Sequence, residues 1–138
     1  MNKIYKTKSA QFSGTSYEEL ISKARYVYHA IQKKNSRRMP YVRSSYFVKD
    51  KIFINNFWNH LNQKSPKDRL RRLKFYQCAI ELIRSSKCSP ESTQNPNNRD
   101  ELLHKFIGVT SVGVCFAVQI KENKKTHRKD FISCFPTK

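Results

Sequence analysis

The stretch FAVQIKENKKTHRKDFISCFP, residues 116–136, consists of two apolar segments separated by a strongly polar turn. From Phe116 to Ile120 every second residue is apolar, which is the period of a half-buried β-strand. Residues 122–128 are polar and mostly basic, and they predict a turn. Lys129 to Phe135 has the composition of a partner strand, so the stretch as a whole predicts an antiparallel hairpin.

The same alternation predicts which side chains of the hairpin face the protein core. Ile132 and Cys134 are expected to join the apolar residues of the first strand in the core. Five other side chains are expected on the opposite, open face: Gln119, Lys121, Phe131, Ser133 and Phe135. Exposed rings beside cations suit the stacking of nucleobases and contacts with phosphate groups.

The N-terminal half of the chain predicts a helix followed by a hairpin. Ser16 and Glu19 form a capping box at the start of an amphipathic helix, which must end before Pro40. Residues 41–48 are aromatic and β-branched and predict a strand, residues 49–51 predict a turn, and residues 52–54 are expected to pair back onto the strand.

Two further helices are predicted in the middle of the chain. A short one follows Asn55 or Asn56, and a longer one begins with Ser65 and Pro66. The apolar stripe of the longer helix extends as far as Ile83, and the polar residues 85–100 after it predict a long loop.

Three strands are predicted at the end of the chain, from Glu101 to Val109, from Gly113 to Lys121 and from Lys129 to Phe135. The predicted fold class is α+β, with N-terminal helices packed on an antiparallel sheet of about four to five strands that ends in this three-strand meander. Residues 1–14 are predicted to be a flexible arm, and residues 15–138 a single domain.

Charge is the strongest compositional signal. The 138 residues include 28 lysines and arginines against 10 aspartates and glutamates, a formal net charge of +18. Such an excess favours a polyanionic partner through phosphate contacts and counterion release. A membrane partner is not predicted, because no Lys-rich amphipathic helix with a large exposed apolar face is recognised.

The expected location follows from three further features. No apolar run approaches the roughly 18 residues that span a bilayer, and the first residues lack the apolar core of a signal peptide. The four cysteines form no C-x-x-C pair and are expected to be reduced. The chain is therefore expected to be cytoplasmic, or delivered into the cytoplasm of a target cell.

Several enzyme classes are disfavoured by what the chain lacks. Its three glycines cannot build a phosphate-cradling loop, and it has no G-x-S-x-G motif. Its acids are few and scattered, which disfavours a two-metal nuclease. No metal or other cofactor is predicted. RNA can be cleaved without a metal, because its 2′-OH attacks the adjacent phosphate when a base, an acid and cations are supplied.

The segment from Phe116 to Pro136 resembles the closing hairpin of the barnase–EndoU–colicin–RelE superfamily of small ribonuclease toxins, above all its branches from phages and mobile elements. The resemblance extends over residues 100–138 and, more weakly, over RLRRLKFYQCAIELI, residues 69–83. It implies one or two helices followed by an antiparallel sheet of about four strands. It also implies metal-independent cleavage of tRNA or mRNA on the open face of the sheet.

By position in the matching strands, the resemblance places Lys121 and Ser133 at the catalytic site, and Arg43 is a further placement. His60 is the candidate general base. The residues expected to bind nucleic acid are Lys105, Gln119, Arg69, Arg71, Arg72, Lys74, Lys124, Lys125 and Arg128. A purely structural interpretation also stays open for these residues. Lys121 can be a solvated strand end, Ser133 can be a small core residue, and the arginines of residues 64–74 can form a solvated helix face.

The leading hypothesis is a metal-independent endoribonuclease that acts as a toxin or mobile-element effector. Lys121, Arg43 and Lys105 would hold the phosphate group, and Ser133 and Gln119 would position the 2′-OH. The alternative is a non-catalytic nucleic-acid-binding module with the same surfaces. In a third interpretation, which is compatible with the first, the charge serves an acidic antitoxin or immunity protein.

Overall fold

The computed structural model describes residues 4–35 and 39–137. Within these ranges lie four helices: α1 (Tyr17–Lys34), α2 (Asn56–Asn62), α3 (Pro66–Leu73) and α4 (Tyr76–Ser85). The strands of the same ranges are β1 (Tyr5–Lys6), β2 (Tyr41–Ser44), β3 (Asp50–Phe53), β4 (Glu91–Gln94), β5 (Glu101–Val109), β6 (Cys115–Asn123) and β7 (Lys129–Pro136). All of these strands belong to one seven-stranded sheet.

The sheet is mixed, with strand order β1-β5-β6-β7-β3-β2 and with β4 paired to β5. β1 runs parallel to β5 and β3 runs parallel to β7, whereas the other pairs are antiparallel. The prediction of N-terminal helices on a purely antiparallel sheet of about four to five strands is therefore wrong. The fold is α+β, but helices α2 to α4 lie between β3 and β4, and the sheet is larger than predicted.

The position of β3 explains this difference. Ile52 and Phe53 of β3 lie beside Lys129 and Asp130 of β7, near the other end of the chain. A parallel pair cannot be closed by a tight turn and needs a long crossover connection. Helices α2 to α4 belong to that connection, so they interrupt the succession of strands.

Helix α1 begins where the capping signal predicts. The side chain of Ser16 accepts a hydrogen bond from the backbone N–H of Glu19 at 3.2 Å. This bond satisfies one of the N–H groups that have no partner inside the helix. The buried side chains of α1 are Leu20, Ala24 and Ile31, which follow helical spacing and anchor the helix on the core.

The long helix predicted after Ser65 is two helices in the structure. Ser65 caps α3 by accepting from the N–H of Asp68 at 3.3 Å. The chain leaves the helical conformation at Phe75, which has φ −98° and ψ 5°, and α4 begins at the next residue. The Phe75 ring is buried and stacks on Phe116 with centroids 5.6 Å apart, so packing against β6 accounts for the break.

The first hairpin turns earlier than predicted. β2 ends at Ser44, and the turn occupies residues 45–49 rather than 49–51. Val48 and Lys49 have φ of 53° and 68°, so they supply the left-handed conformation that reverses the chain. Phe47 folds over the sheet, where its ring centroid lies 6.0 Å from that of Phe106.

Residues 4–14 of the predicted flexible arm lie on the folded domain, and residues 1–3 are outside the described ranges. Tyr5 pairs with Gly108 in register, which makes β1 an edge strand beside β5. The carboxylate of Glu81 accepts hydrogen bonds from the backbone N–H groups of Lys8 and Ser9 at 2.7 and 3.1 Å. The predicted loop 85–100 likewise contains a strand, β4, on the same side of β5.

A β-bulge between β6 and β7 changes the predicted faces of β7. Gln119 lies opposite Ser133, but Ile120 lies opposite Phe131, so one residue of β7 is unpaired between them. Phe131 is therefore fully buried in the core, where its ring stacks on Phe57 at 4.9 Å and an interplanar angle of 15°. The prediction of Phe131 on the open face is wrong, whereas Ser133 does share the face of Gln119.

Candidate nucleic-acid interface

One row of side chains crosses the sheet on the face away from the helical core. Lys121 of β6 lies opposite Asp130 of β7, which lies beside Phe53 of β3, and Phe53 lies opposite Tyr41 of β2. Residues in register on neighbouring strands point to the same side of a sheet. Lys121 and Tyr41 therefore belong to one face and are roughly 14 Å apart, at about 4.8 Å per strand.

This surface, which we call the basic face, carries five cationic side chains: Arg43, Lys51, Lys105, Lys121 and Arg128. Arg43 lies opposite Lys51, two residues along the strands from the row described above. Lys105 lies opposite Gln119, which is two residues before Lys121 on β6. The guanidinium of Arg128 reaches the same surface, because it pairs with Asp130 at 3.2 Å.

Aromatic rings hold the cations at the β2–β3 end of the basic face. The guanidinium of Arg43 and the ammonium of Lys51 lie 5.4 and 4.9 Å from the ring centroid of Tyr41. The guanidinium of Arg128 lies 4.5 Å from the centroid of Phe53. Such contacts are attractive because the ring face is electronegative.

A cleft of about 380 Å³ opens beside these side chains, lined by Arg43, Lys49, Asp50, Lys51, Phe53, Thr126, His127 and Arg128. Four of the lining residues are Lys or Arg, and one is an acid. The positive charge and the volume of this cleft suit a phosphate group with part of a nucleoside.

The Lys121 side chain is 28% exposed and pairs with the carboxylate of Glu101 at 3.5 Å. An ion pair between partly exposed side chains is weak, since solvent screens the charges. Lys121 is therefore held in place and remains able to exchange its carboxylate partner for a phosphate oxygen.

His60 approaches the basic face from α2. Asn56, one helical turn earlier, donates a hydrogen bond to Asp130 at 3.2 Å, and residues four apart share one side of a helix. Burial lowers the pKa of His60, and the charges of Lys121 and Lys64 lower it further against the opposing charge of Asp130. A histidine with a lowered pKa is neutral at neutral pH and can accept a proton.

Ser133 lies opposite Gln119, but its side chain is buried. Its hydroxyl accepts a hydrogen bond from the guanidinium of Arg72 on α3. The same guanidinium lies 5.1 Å from the ring centroid of Phe135 and pairs with Asp68 at 3.1 Å. Ser133 therefore holds Arg72 at the border of the basic face and does not present a free hydroxyl to solvent.

The remaining predicted nucleic-acid-binding residues of α3 lie away from the basic face. Arg69 donates hydrogen bonds to the backbone carbonyls of Lys64 and Asn62, and so holds the turn between α2 and α3. Arg71 and Lys74 line a separate cavity of about 700 Å³. Arg69 therefore has structural partners, whereas Arg71 and Lys74 belong to a separate surface.

Lys124 and Lys125 lie in the turn between β6 and β7. Lys124 donates a hydrogen bond to the side chain of Gln94, and Lys125 pairs with Asp100 at 3.6 Å. Both lysines are exposed, and they connect the turn to β4 and the segment after it rather than to the basic face.

Sequence reasoning missed Lys51, Phe53 and Asp130. Lys51 was predicted to lie in a turn, but β3 already begins at Asp50, and Lys51 pairs with Arg43. Asp130 carries no local signal, because its position depends on the parallel pairing of β3 with β7.

No protein-family model, curated protein or solved structure matches this chain. Within residues 4–35 and 39–137, no group of three His, Cys, Asp or Glu side chains is arranged to hold a metal ion. In the same ranges, no helix is long and apolar enough to cross a membrane.

Proposed function

We propose that the protein is a metal-independent endoribonuclease that binds RNA on the basic face. The observation that carries this proposal is the position of His60 on α2, the helix that Asn56 bonds to Asp130, near Lys121 on a surface of five cations. Cleavage by the 2′-OH needs a base for its proton and positive charge for the phosphorane-like transition state. We assign the first requirement to His60 and the second to Lys121.

In this proposal His60 takes the proton of the 2′-OH, and Lys121 stabilises the charge that develops on the phosphate oxygens. Lys105 and Gln119 lie one row away on the same face and contact the adjoining nucleotide. Arg43 lies farther along the face and binds a more distant phosphate group in the cleft. Ser133 acts through Arg72, whose guanidinium it positions.

The second candidate function is RNA binding without cleavage. Two ion pairs of the structure favour binding without cleavage, because Lys121 pairs with Glu101 and Arg128 pairs with Asp130. Such side chains bind the RNA backbone by exchanging a carboxylate partner for a phosphate group, and rings such as Phe53 stack on bases. Cleavage assays separate the two functions.

The resemblance to the barnase–EndoU–colicin–RelE superfamily supports the proposal of a toxin or mobile-element effector that acts on tRNA or mRNA in the cytoplasm. A toxin of this kind needs an acidic antitoxin or immunity protein, and the net charge of +18 suits such a partner. The cavity that contains Lys67, Arg71 and Lys74 is a second basic surface on which an acidic partner can bind.

The test is incubation of the purified protein with total tRNA and with mRNA, with and without EDTA. We expect cleavage in both conditions and products that end in a 2′,3′-cyclic phosphate, because the 2′-OH is the nucleophile. RNA that stays intact in both conditions would contradict the ribonuclease proposal and leave the binding function.

Variants then separate catalysis from binding. His60→Asn and Lys121→Ala are expected to slow cleavage by about 100-fold or more, since each removes a group that acts on the reacting atoms. RNA affinity in a filter assay should change much less for His60→Asn. Lys125→Ala is the matched control, because Lys125 is an exposed lysine outside the basic face.

A further inference from the structure

A chain of hydrogen bonds on the core side of the sheet joins Ser92, His104 and Glu122. The Oγ of Ser92 lies 2.6 Å from Nδ1 of His104, and Nε2 of His104 lies 2.8 Å from Oε1 of Glu122. Ser92 is in register with His104, and His104 is in register with Ile120, which is fully buried in the core. The side chains of Ser92 and His104 therefore lie on the opposite side of the sheet from Lys121 and Lys105.

The charge on Glu122 fixes the position of the ring proton of His104. Burial raises the pKa of Glu122, but hydrogen bonds from His104 and His127 and the charge of Lys129 outweigh burial and lower the pKa overall. An ionised carboxylate only accepts hydrogen bonds, so Nε2 of His104 carries the proton. In the neutral ring, the lone pair of Nδ1 then accepts the hydroxyl hydrogen of Ser92.

The hydroxyl and the base differ in their exposure to solvent. Ser92 is exposed on β4, whereas His104 is only 7% exposed and packs against the ring of Phe47 at 5.1 Å. Among the strands of the described ranges, β4 pairs only with β5. Every second N–H group of such an edge strand points to solvent, and N–H groups of this kind can stabilise an oxyanion.

We propose that Ser92 is the nucleophile of a second catalytic site, which hydrolyses small activated carboxylic esters. A nucleophile within hydrogen-bond distance of a base that is itself oriented by an acid is the arrangement of a serine hydrolase. Here the two ring nitrogens are used in the reverse order from the usual triad, and either nitrogen is a competent base. Ser133 lacks such an arrangement, because its hydroxyl is bonded to the guanidinium of Arg72.

The proposed hydrolysis consists of two acyl transfers, first to Ser92 and then to water. Ser92 Oγ bonds to the carbonyl carbon of the ester, and its proton moves to Nδ1 of His104. His104 passes this proton to the leaving alkoxide oxygen as the ester C–O bond breaks, so an alcohol leaves and acyl-Ser92 remains. Water then attacks the acyl group, His104 takes its proton and returns it to Ser92 Oγ, and a carboxylic acid is released.

The test uses the full chain with two probes, a fluorophosphonate and p-nitrophenyl acetate. We expect the fluorophosphonate to form an adduct on Ser92, which mass spectrometry of peptides locates. Ser92→Ala should lose the adduct and the release of p-nitrophenol, and His104→Gln should slow both by about 100-fold. The control is Ser111→Ala, because Ser111 is an exposed serine in a turn.

Because His104 is buried, its substitution can unfold the chain, and Ser92→Cys provides an independent measurement. A thiol at this position is expected to react with iodoacetamide at pH 7 at least tenfold faster than the thiol of Ser111→Cys, since the base raises its thiolate fraction. Equal alkylation rates, or a fluorophosphonate adduct absent from Ser92, would overturn the proposal. His60→Asn and Lys121→Ala should leave the labelling of Ser92 unchanged, so this site stands or falls independently of RNA cleavage.

Discussion

His60 is the residue on which the proposed chemistry depends most. It lies on a short helix, among aromatic and polar neighbours that give no sign of a catalytic role in the sequence. Its lowered pKa has two physical sources, burial and nearby positive charge, and both come from the way α2 packs beside the sheet. The lowered pKa of His60 is thus a product of tertiary structure and not of a sequence motif.

The pKa of His60 predicts how stability depends on pH. Because folding lowers this pKa, the unfolded chain binds the proton more readily, and protonation favours unfolding. The free energy of unfolding should therefore fall as the pH decreases below about 6.5, the ordinary pKa of histidine. His60→Asn removes this contribution and should lose less stability than the wild type between pH 7.5 and pH 5, measured by urea unfolding. Equal losses in the two proteins would contradict the assignment.

The position of Ser133 agrees with the sequence prediction, whereas the partner of its hydroxyl was not predicted. It lies on the predicted face, opposite Gln119, yet its hydroxyl holds Arg72. Alternation along a strand indicates the side to which a residue points, but it carries no information about a helix that covers the strand edge. The partner of Ser133 could only be found in three dimensions.

At the level of elements, β7 is the strand that connects the two halves of the sheet. It pairs with β6 along most of its length and with β3 at its start, and α2 and α3 pack along the remainder. The bulge lets β7 place Phe131 and Cys134 in the core while Ser133 and Phe135 stay on the other side. A regular strand could not have buried both Phe131 and Cys134.

Because of the bulge, two phenylalanines of β7 are expected to contribute unequally to the free energy of unfolding. Phe131→Ala should lower the free energy of unfolding by about 3–5 kcal/mol, because it leaves a cavity beside Phe57 in the core. Phe135→Ala should cost clearly less, since Phe135 is only half-buried and contacts Arg72 at the border of the basic face. Urea denaturation of both variants provides the comparison, and equal losses would argue for a regular strand.

Local signals in the sequence predicted the start of α1, the start of α3 and the three long C-terminal strands. These features depend on caps and on periodic patterns, which neighbouring residues determine. The pairings of β1 with β5 and of β3 with β7 depend on residues far apart in the chain and leave no local pattern. For the same reason Lys121 and Arg43 could be named individually, whereas their common face with Lys51 could not be derived.

At the scale of the whole molecule, the charge is divided between separate surfaces. The basic face carries Arg43, Lys51, Lys105, Lys121 and Arg128, whereas Lys67, Arg71 and Lys74 surround the larger cavity. A net charge of +18 therefore does not describe a uniformly basic surface. Only the charges that contact the RNA backbone contribute to counterion release.

This division predicts which charges determine the salt dependence of RNA binding. The double variant Arg43→Gln/Lys51→Gln should reduce the slope of log K against log salt by about 1.4, because each contact with single-stranded RNA contributes about 0.7. Lys67→Gln/Arg71→Gln removes the same charge from the other surface and should leave the slope close to that of the wild type. The measurement is a filter-binding titration at several salt concentrations, and equal slopes for the two double variants would contradict the proposed interface.

The parallel pairing of β1 with β5 has a consequence for the order in which the chain assembles. Tyr5 and Gly108 are paired, although they are separated by roughly a hundred residues, and closing so long a loop has a large entropic cost. During synthesis Tyr5 emerges well before Gly108, the residue of β5 with which it pairs. β1 is therefore expected to reach its native position only after β5 has been made.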